Sequence, residues 1–170
     1  PEISMEIQLS LGADIIMAFD VCPPGEATKE TVISAVDQTT KWIKRCKDYL
    51  DSSQAPYNWN QTMFPIIQGG IYPELRKNSV EEMVPYSTCG IGIGGLAVGE
   101  DKMAMFENIA MLDELLPKDQ PRYLMGVGRP TDLVVAVQNG VDMFDCVLPT
   151  RNGRNGQVFT FKGVINICLL

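Results

Sequence analysis

The sequence contains no histidine, no long apolar run and no closely spaced pair of cysteines. Without histidine, Ser-His or Cys-His catalysis and any histidine-containing metal site are excluded within these 170 residues. The five cysteines are odd in number and widely spaced, so they form no CxxC pair of the kind found in zinc knuckles or redox sites. Carboxylates must therefore carry any acid–base chemistry of this chain.

Membrane and secretion signals are also missing. A bilayer-spanning helix needs roughly 18 consecutive apolar residues, and the first residues, PEISMEIQLS, show no basic-then-apolar signal pattern. These features predict a soluble, cytoplasmic protein with no membrane partner. The net charge of −7 argues against non-specific coating of nucleic acid, which depends on Lys and Arg contacts to phosphates, although Arg151 and Arg154 form a local basic candidate.

What is present is an ordinary globular composition, 45% hydrophobic and 21% charged, in which short apolar runs alternate with longer amphipathic segments. This alternation is typical of repeated βα units around a parallel sheet. No linker-like shift in composition divides residues 1–170, so we predict one domain. The predicted strands are Ala13–Asp20, Phe64–Gln68, Gly90–Gly94, Tyr123–Gly126 and Met143–Val147. The predicted helices are the amino-terminal segment PEISMEIQLSLG, Glu30–Leu50, Pro73–Val84, Asp101–Leu116 and Pro130–Asn139, with a loop over Tyr57–Thr62.

Polar or glycine-rich residues follow every predicted strand. They are Asp20, Gln68, the run Gly94–Glu100, the run Met125–Gly128 and Asp145. In a (β/α)₈ barrel, catalytic groups lie at the carboxyl ends of several strands and converge on one mouth. A doubly wound sheet shows the same alternation of strands and helices, so this pattern alone leaves both architectures open.

Five motifs carry a resemblance to a known family. They are FDVC (Phe19–Cys22), FPIIQGG (Phe64–Gly70), GGLAVGE (Gly94–Glu100), YLMGVGRP (Tyr123–Pro130) and DMFDCVLPTRNGRNG (Asp142–Gly156). In this order and at this spacing the chain resembles the bacterial tRNA-guanine (queuine) transglycosylases over nearly its whole length, and the last motif is highly specific. The resemblance implies an α/β fold of the TIM (β/α)₈ barrel type, incomplete here with about five βα units. It also implies an enzyme that exchanges guanine at the wobble position of tRNA for a 7-deazaguanine, in bacteria usually 7-aminomethyl-7-deazaguanine (preQ1).

Asp145 matches the family nucleophile, which attacks a tRNA ribose. A carboxylate at a strand end is suited to attack an anomeric carbon and form a glycosyl ester. Taken alone, Asp145 would more readily be interpreted as a cap of the strand-to-loop turn. The flanking residues MF and CVLPTRNGR favour the nucleophile.

The resemblance assigns a base pocket to other strand ends. Asp20 would accept hydrogen bonds from N1–H and the 2-amino group of guanine, while the Gln68 amide and the Gly95 N–H would donate to O6. Each residue also has a structural interpretation, as an exposed strand-end carboxylate, a turn glutamine and a close-packing glycine. The remaining pocket positions are Cys22, which would line the base, Leu96 and Ala97, whose backbone would accept the aminomethyl group, and Met125 and Gly126, which would stack on the base.

Two features near this pocket bear on the choice of base. Glu100 would favour the positive charge of an aminomethyl group. Val98 retains the bulk found in the preQ1-using bacterial members, where queuine-using relatives tend to carry glycine. The resemblance therefore favours preQ1 as the incoming base.

Two segments match RNA-contacting loops of the family. Arginines suit phosphates and the splayed bases of a single-stranded tRNA anticodon loop. The first segment is Gly126, Val127, Gly128, Arg129, Pro130, Thr131 and Asp132, and the second is Thr150, Arg151, Asn152, Gly153 and Arg154.

Other family features are missing from the sequence. There is no DSGGFQ-like motif, which carries the general-base aspartate, and no Cys-x-Cys-x-x-Cys cluster with histidine for zinc. Cys168 stands alone and too early to be a ligand. We therefore expect zinc and a homodimer in a full-length family member, and we expect this chain to be a fragment that has no turnover by itself.

Two other functions remain open. One is a non-catalytic, tRNA-binding accessory subunit of the same family, against which the intact context of Asp145 argues. The other is an unrelated barrel enzyme whose glycine motifs bind phosphate.

Overall fold

The computed structural model describes residues 1–167, so Cys168 and the prediction made for it lie outside the described residues. The helices are Glu2–Leu11 (α1), Lys29–Ser52 (α2), Pro73–Met83 (α3), Lys102–Leu115 (α4), Pro130–Gln138 (α5) and Leu148–Arg154 (α6), with a 3₁₀ turn at Val84–Tyr86. The strands are Ile15–Met17 (β1), Thr62–Phe64 (β2), Ile66–Ile67 (β3), Ile91–Ile93 (β4), Arg122–Leu124 (β5), Met143–Phe144 (β6), Gln157–Thr160 (β7) and Gly163–Asn166 (β8). The chain is thus an α/β protein, as predicted.

Local sequence signals explain where the helices begin. The Thr28 side chain accepts a hydrogen bond from Thr31 N–H at the start of α2, and Asp101 accepts from two N–H groups of the first turn of α4. Helices α3 and α5 begin at Pro73 and Pro130, where a missing N–H has no consequence. The predicted helices are therefore confirmed, with ends that differ by at most two residues.

The strands from β1 to β6 all pair in parallel and follow one another in chain order. Strand β2 pairs with β1, while β3 pairs with β4, β4 with β5 and β5 with β6. Pro65 separates β2 from β3; it has no N–H to donate, but its carbonyl accepts from Gly92 N–H at 2.8 Å. The strands thus form a two-stranded sheet, β1–β2, and a four-stranded sheet, β3–β6, which meet at Pro65. Counted along the chain with β2 and β3 as one interrupted strand, they occupy five successive positions, one for each predicted strand.

The structure differs from the prediction in four details. The strands are shorter than expected, and the strand predicted at Phe64–Gln68 is divided by Pro65 and extends back to Thr62, which we had assigned to a loop. The segment Thr150–Arg154, also expected to be a loop, belongs to helix α6. An antiparallel hairpin, β7–β8, follows it and was not predicted.

The core lies between the sheet and the helices that connect its strands. Its strand side includes Ile67, Ile91 and Ile93, and its helix side includes Ile43 of α2 and Leu112 of α4, all at most 1% exposed. Burial of each such side chain contributes roughly 1.5–3 kcal/mol before entropy costs. Because the strands are parallel, this packing brings their carboxyl ends to the same edge of the sheet.

Candidate active site

Asp145 directly follows β6 at this edge, and its carboxylate is held from one side. Tyr123 Oη and Gly126 N–H each donate a hydrogen bond of 2.8 Å to Asp145 Oδ1. Within residues 1–167, Asp145 Oδ2 accepts no hydrogen bond, and the residue is exposed. One oxygen therefore orients the carboxylate, while the other has no hydrogen-bond partner within residues 1–167.

Tyr123 was missed by the sequence interpretation. It lies on β5 opposite Met143 of β6, two residues before Asp145, so strand pairing brings its hydroxyl to the carboxylate. Desolvation, followed by the hydrogen bond to Asp145 and its negative charge, raises the pKa of Tyr123 to about 12. The phenol therefore stays protonated and can donate at neutral pH. The sequence carries no signal for this contact, because it depends on the register between two strands.

Asp20 and Gln68 form a second polar group, where β1 and β3 end. Gln68 Nε2 donates to Asp20 Oδ2 at 2.6 Å, and the Gln68 backbone N–H donates to Ser79 Oγ at 3.0 Å. Gln68 is fully buried, and its Oε1 has no hydrogen-bond partner among the described residues. Burial raises the pKa of Asp20, while the hydrogen bond from Gln68 opposes that rise. The structure thus joins two predicted site residues and leaves one buried acceptor open.

The loop after β4 borders this pair. Gly95 has a φ of +64°, and a Cβ at this residue would collide with Gln68 Oε1, so only glycine fits. Leu96 is buried, whereas Ala97 is exposed with a φ of +60°. Glu100 accepts hydrogen bonds from the N–H groups of Ala97 and Val98, the latter at 2.9 Å. The Glu100 carboxylate therefore fixes the conformation of the loop from within.

Cys22 and Met125 lie at the remaining predicted pocket positions. Cys22 is exposed and borders a depression of about 710 Å³ beside α2, together with Pro23 and Thr31. Met125 is half-buried, and its backbone N–H donates to the Ile93 carbonyl at 3.1 Å, which extends the β4–β5 ladder. Their roles toward a base remain predictions.

The two predicted RNA-contacting segments border one cleft of about 530 Å³. Arg129 comes from the first segment and Arg151 from the second, and the opposite wall includes Ala97 and Lys102. Both arginines are exposed. The fold therefore brings Arg129 and Arg151, which are 22 positions apart in the sequence, to a single surface beside Asp145.

Most residues of the two RNA-contacting segments are exposed, and a few are buried. Gly126, Arg129, Pro130, Thr131, Thr150, Arg151, Gly153 and Arg154 are exposed, and Gly128 is half-buried. Val127, Asp132 and Asn152 are buried, at 3%, 6% and 7% exposure. The Asp132 carboxylate accepts hydrogen bonds from Lys102 Nζ at 2.7 and 3.0 Å. Asp132 therefore helps to hold the first segment against helix α4.

The second segment is a helix, which corrects the predicted loop. Pro149 provides the early proline of α6, and Asn152 is turned into the interior. Arg151 and Arg154 lie in the last turn, where cations interact favourably with the carbonyl end of a helix. This helix gives the two arginines a fixed spacing.

In the part of the chain that the structure describes, no three His, Cys, Asp or Glu side chains come together as a metal-binding group. The described residues therefore do not fit the zinc site that the resemblance implies. None of the helices within residues 1–167 is long and apolar enough to cross a membrane.

Comparisons with known proteins point to one family. The sequence pattern of the family described as queuine tRNA-ribosyltransferase matches residues 1–169. A queuine tRNA-ribosyltransferase of Actinobacillus pleuropneumoniae (serotype 5b) is 50% identical over 167 residues, which are 98% of this chain and 43% of the relative. Relatives of the same name from Desulforamulus reducens and Zymomonas mobilis are 49% and 48% identical, again over 98% of this chain and 44% and 43% of their own lengths. The chain spans less than half the length of these curated relatives, and it belongs to the queuine tRNA-ribosyltransferase family.

Proposed function

We propose that this chain carries the nucleophile and the base pocket of a tRNA-guanine transglycosylase, a pentosyltransferase that exchanges the wobble guanine of tRNA for preQ1. The observation that carries the proposal is the Asp145 carboxylate. Tyr123 and Gly126 hold one of its oxygens, and the other is free at the edge where Asp20 and Gln68 meet. Membership of the family supports the same activity, because the curated relatives are named for it.

The fold proposed for the active protein is the (β/α)₈ barrel, with residues 1–170 as part of one catalytic domain. Its support is the strand order, since β1 to β6 succeed one another without the reversal that defines a doubly wound sheet. Five of eight strand positions would then be supplied by these residues. Asp20, Gln68, Gly95 and Asp145 would face one mouth.

Asp20, Gln68 and Gly95 form the core of the proposed base pocket. Asp20 accepts hydrogen bonds from N1–H and the 2-amino group of the base. One amide hydrogen of Gln68 is bonded to Asp20, and the other donates to O6 of the base together with the Gly95 N–H. This pattern matches guanine and 7-deazaguanine and mismatches adenine. Cys22, Met125 and Gly126 contact the faces of the base, and the Leu96 and Ala97 backbone accepts the aminomethyl group of preQ1.

The cleft beside Asp145 is the proposed site for the tRNA anticodon loop. Arg129 and Arg151 border it, and Arg154 lies one helical turn beyond Arg151. Guanidinium groups pair well with phosphates and stack on unpaired bases. Because the wobble nucleotide is unpaired, moving its guanine out of the loop into the pocket costs only a few kcal/mol.

The proposed reaction proceeds by two displacements at the ribose. Asp145 Oδ2 attacks C1′ and forms an ester, the C1′–N9 bond breaks, and the departing guanine keeps the electron pair and takes up a proton. The resemblance assigns that proton to the aspartate of a DSGGFQ-like motif, which these residues lack. PreQ1 then occupies the vacated pocket, loses its N9 proton and displaces Asp145 from C1′.

Further properties follow from the family resemblance. We propose a homodimer and a cytoplasmic setting, where tRNA is modified, for the active protein. Zinc enters no step here, because the described residues bring no ligand set together.

The test is capture of the covalent intermediate. The chain, alone and fused to the flanking segments of the Actinobacillus relative, is incubated with cognate tRNA and analysed for an SDS-stable RNA adduct. We expect the adduct in the fusion, its loss in Asp145→Asn, and its retention in Asp142→Asn. The latter removes the same charge from a residue whose carboxylate accepts from Arg122 N–H at 2.9 Å, away from the site.

Two results would contradict the proposal. An adduct that persists in Asp145→Asn would show that another residue is the nucleophile. Tight tRNA binding without any adduct would favour the accessory, non-catalytic subunit.

A further inference from the structure

Arg76 is a fully buried arginine beside the proposed base pocket that the reaction above does not use. It lies on α3, one residue after Leu75, and is 0% exposed. Within residues 1–167, no carboxylate forms an ion pair with it. Burial of an arginine without a paired anion is costly, so its donors must find other partners.

Those partners are backbone carbonyls from two loops at the carboxyl edge of the sheet. Arg76 Nη1 donates to Gly94 O at 2.7 Å and Nη2 donates to Gly95 O at 2.9 Å. Nε donates to Gly70 O at 2.8 Å, and Nη1 also reaches Ile67 O at 3.2 Å. The planar guanidinium thus ties the loop after β3 to the loop after β4.

Its contact with Gly94 bears directly on the proposed base pocket. The Gly94 carbonyl and the Gly95 N–H belong to one peptide group, and a charged donor on the carbonyl polarises that group and strengthens the N–H as a donor. The Gly95 N–H donates to no acceptor among the described residues. It is therefore free to donate to a ligand.

A second observation indicates that a hydrogen-bond donor of a ligand also comes close to this place. Gln68 Oε1 is buried without a partner, and it lies against the Cα side of Gly95. A Cβ added to Gly95 would collide with Gln68 Oε1 and would lie 3.5 Å from Arg76 Nη2. Arg76, Gly95 and Gln68 are therefore close neighbours, and the Gly95 N–H and Gln68 Oε1 are the two polar groups among them that have no partner within residues 1–167.

We propose that Arg76 is a positioning residue for base selection, which holds and polarises the Gly94–Gly95 peptide so that Gly95 N–H recognises the 6-oxo group of a guanine-like base. This inference rests on the proposed base pocket and adds the group that makes it selective for 6-oxopurines. Arg76 does not touch the base. It acts through the peptide group that does.

The experiment compares guanine with 6-thioguanine, which keeps N1–H and the 2-amino group but carries sulfur, a weaker acceptor, in place of O6. Dissociation constants of both are measured by ligand-observed NMR on the full 170-residue chain, on Arg76→Met and on Arg76→Lys. We expect the wild-type chain to prefer guanine. Arg76→Met should reduce that preference about tenfold, the factor that one lost hydrogen bond gives in a dissociation constant.

Arg76→Lys retains the charge but concentrates its donors at one nitrogen, so it cannot span the Gly94, Gly95 and Gly70 carbonyls together. We expect an intermediate preference from it. Arg122→Met is the matched control, since Arg122 is 3% exposed and also donates to backbone carbonyls, at Leu116 and Pro117, in addition to its ion pair with Asp113. Arg122 lies at the amino end of β5, whereas the proposed base pocket lies where the strands end. Its replacement should lower stability and leave the base preference unchanged.

The outcomes separate the inference from the proposed function. If Arg76→Met weakens both bases equally, or keeps the preference for guanine, Arg76 is only structural and the inference is wrong. If the wild-type chain binds neither base, the proposed pocket itself fails. If Arg76→Met does not fold, two other measurements test the inference: the base preference of Arg76→Lys, and the shift of the Gly95 amide resonance in the wild-type chain on adding each base. The inference is wrong if guanine shifts that resonance no more than 6-thioguanine does.

Discussion

Replacement of Tyr123 with phenylalanine removes one of the two hydrogen bonds that orient Asp145. The Tyr123 hydroxyl donates at 2.8 Å to Asp145 Oδ1, and Gly126 N–H keeps its own bond of 2.8 Å to the same oxygen. A hydrogen bond to a charged group contributes about 1.5–3 kcal/mol. We reduce this to about 1 kcal/mol because Asp145 is exposed and water replaces part of the lost bond.

That energy corresponds to about a fivefold slower reaction, since about 1.4 kcal/mol changes a rate tenfold. The direction follows from geometry, because a carboxylate held by one bond samples more orientations in which Oδ2 does not face C1′. The assay is the single-turnover rate of adduct formation at saturating tRNA, in the fusion described above. Tyr86→Phe, the same change at a tyrosine of the 3₁₀ turn that packs against the core, should have little effect.

Two results would refute this reasoning. An unchanged rate in Tyr123→Phe would mean that Gly126 alone orients the carboxylate. A similar decrease in Tyr86→Phe would mean that the assay reports stability and not orientation.

Three further predictions concern the framework of the site. Gly95→Ala should abolish detectable guanine binding in ligand-observed NMR, because its φ of +64° is strained for alanine and the new Cβ collides with Gln68; unchanged affinity would contradict this. Asp132→Asn should lower the free energy of unfolding by about 1–3 kcal/mol in a urea titration, because it breaks the contact of a buried carboxylate with Lys102; a change below about 0.5 kcal/mol would contradict this. Because the pKa of Tyr123 is raised to about 12, the stability that its phenol contributes should be complete below about pH 10 and be lost as the pH rises through about 12. The absorbance at 295 nm that is lost in Tyr123→Phe should titrate with a midpoint near pH 12, and a midpoint near pH 10 would contradict this.

The sequence was sufficient to predict most of the architecture. The helices at Pro73 and Pro130 begin where proline and the amphipathic pattern require, and all five strand positions were found. The division of the second strand at Pro65 was missed, although proline has no N–H to donate and therefore interrupts the hydrogen bonding between strands. The hairpin β7–β8 was missed because it follows the last motif, which ends at Gly156, and no element was assigned to its segment.

The site was predicted in part. Asp20 and Gln68 were assigned to one pocket, and the structure joins them by a hydrogen bond of 2.6 Å. Arg76 was overlooked because an arginine on a helix is ordinarily exposed, and only packing shows that it is buried. The loop assigned to Thr150–Arg154 was wrong because glycine and asparagine favour turns locally, whereas Pro149 starts a short helix there.

The sequence by itself determined the class of fold, the family and the identity of the strand-end residues, because these depend on local patterns and on motifs read along the chain. The tertiary structure decided which other residues hold these strand-end residues in place. Tyr123 reaches Asp145 through the register of two strands, and Arg76 reaches Gly94 and Gly95 from a neighbouring helix. Such contacts join residues 18 to 22 positions apart and depend on the packing of whole elements, which no local pattern encodes.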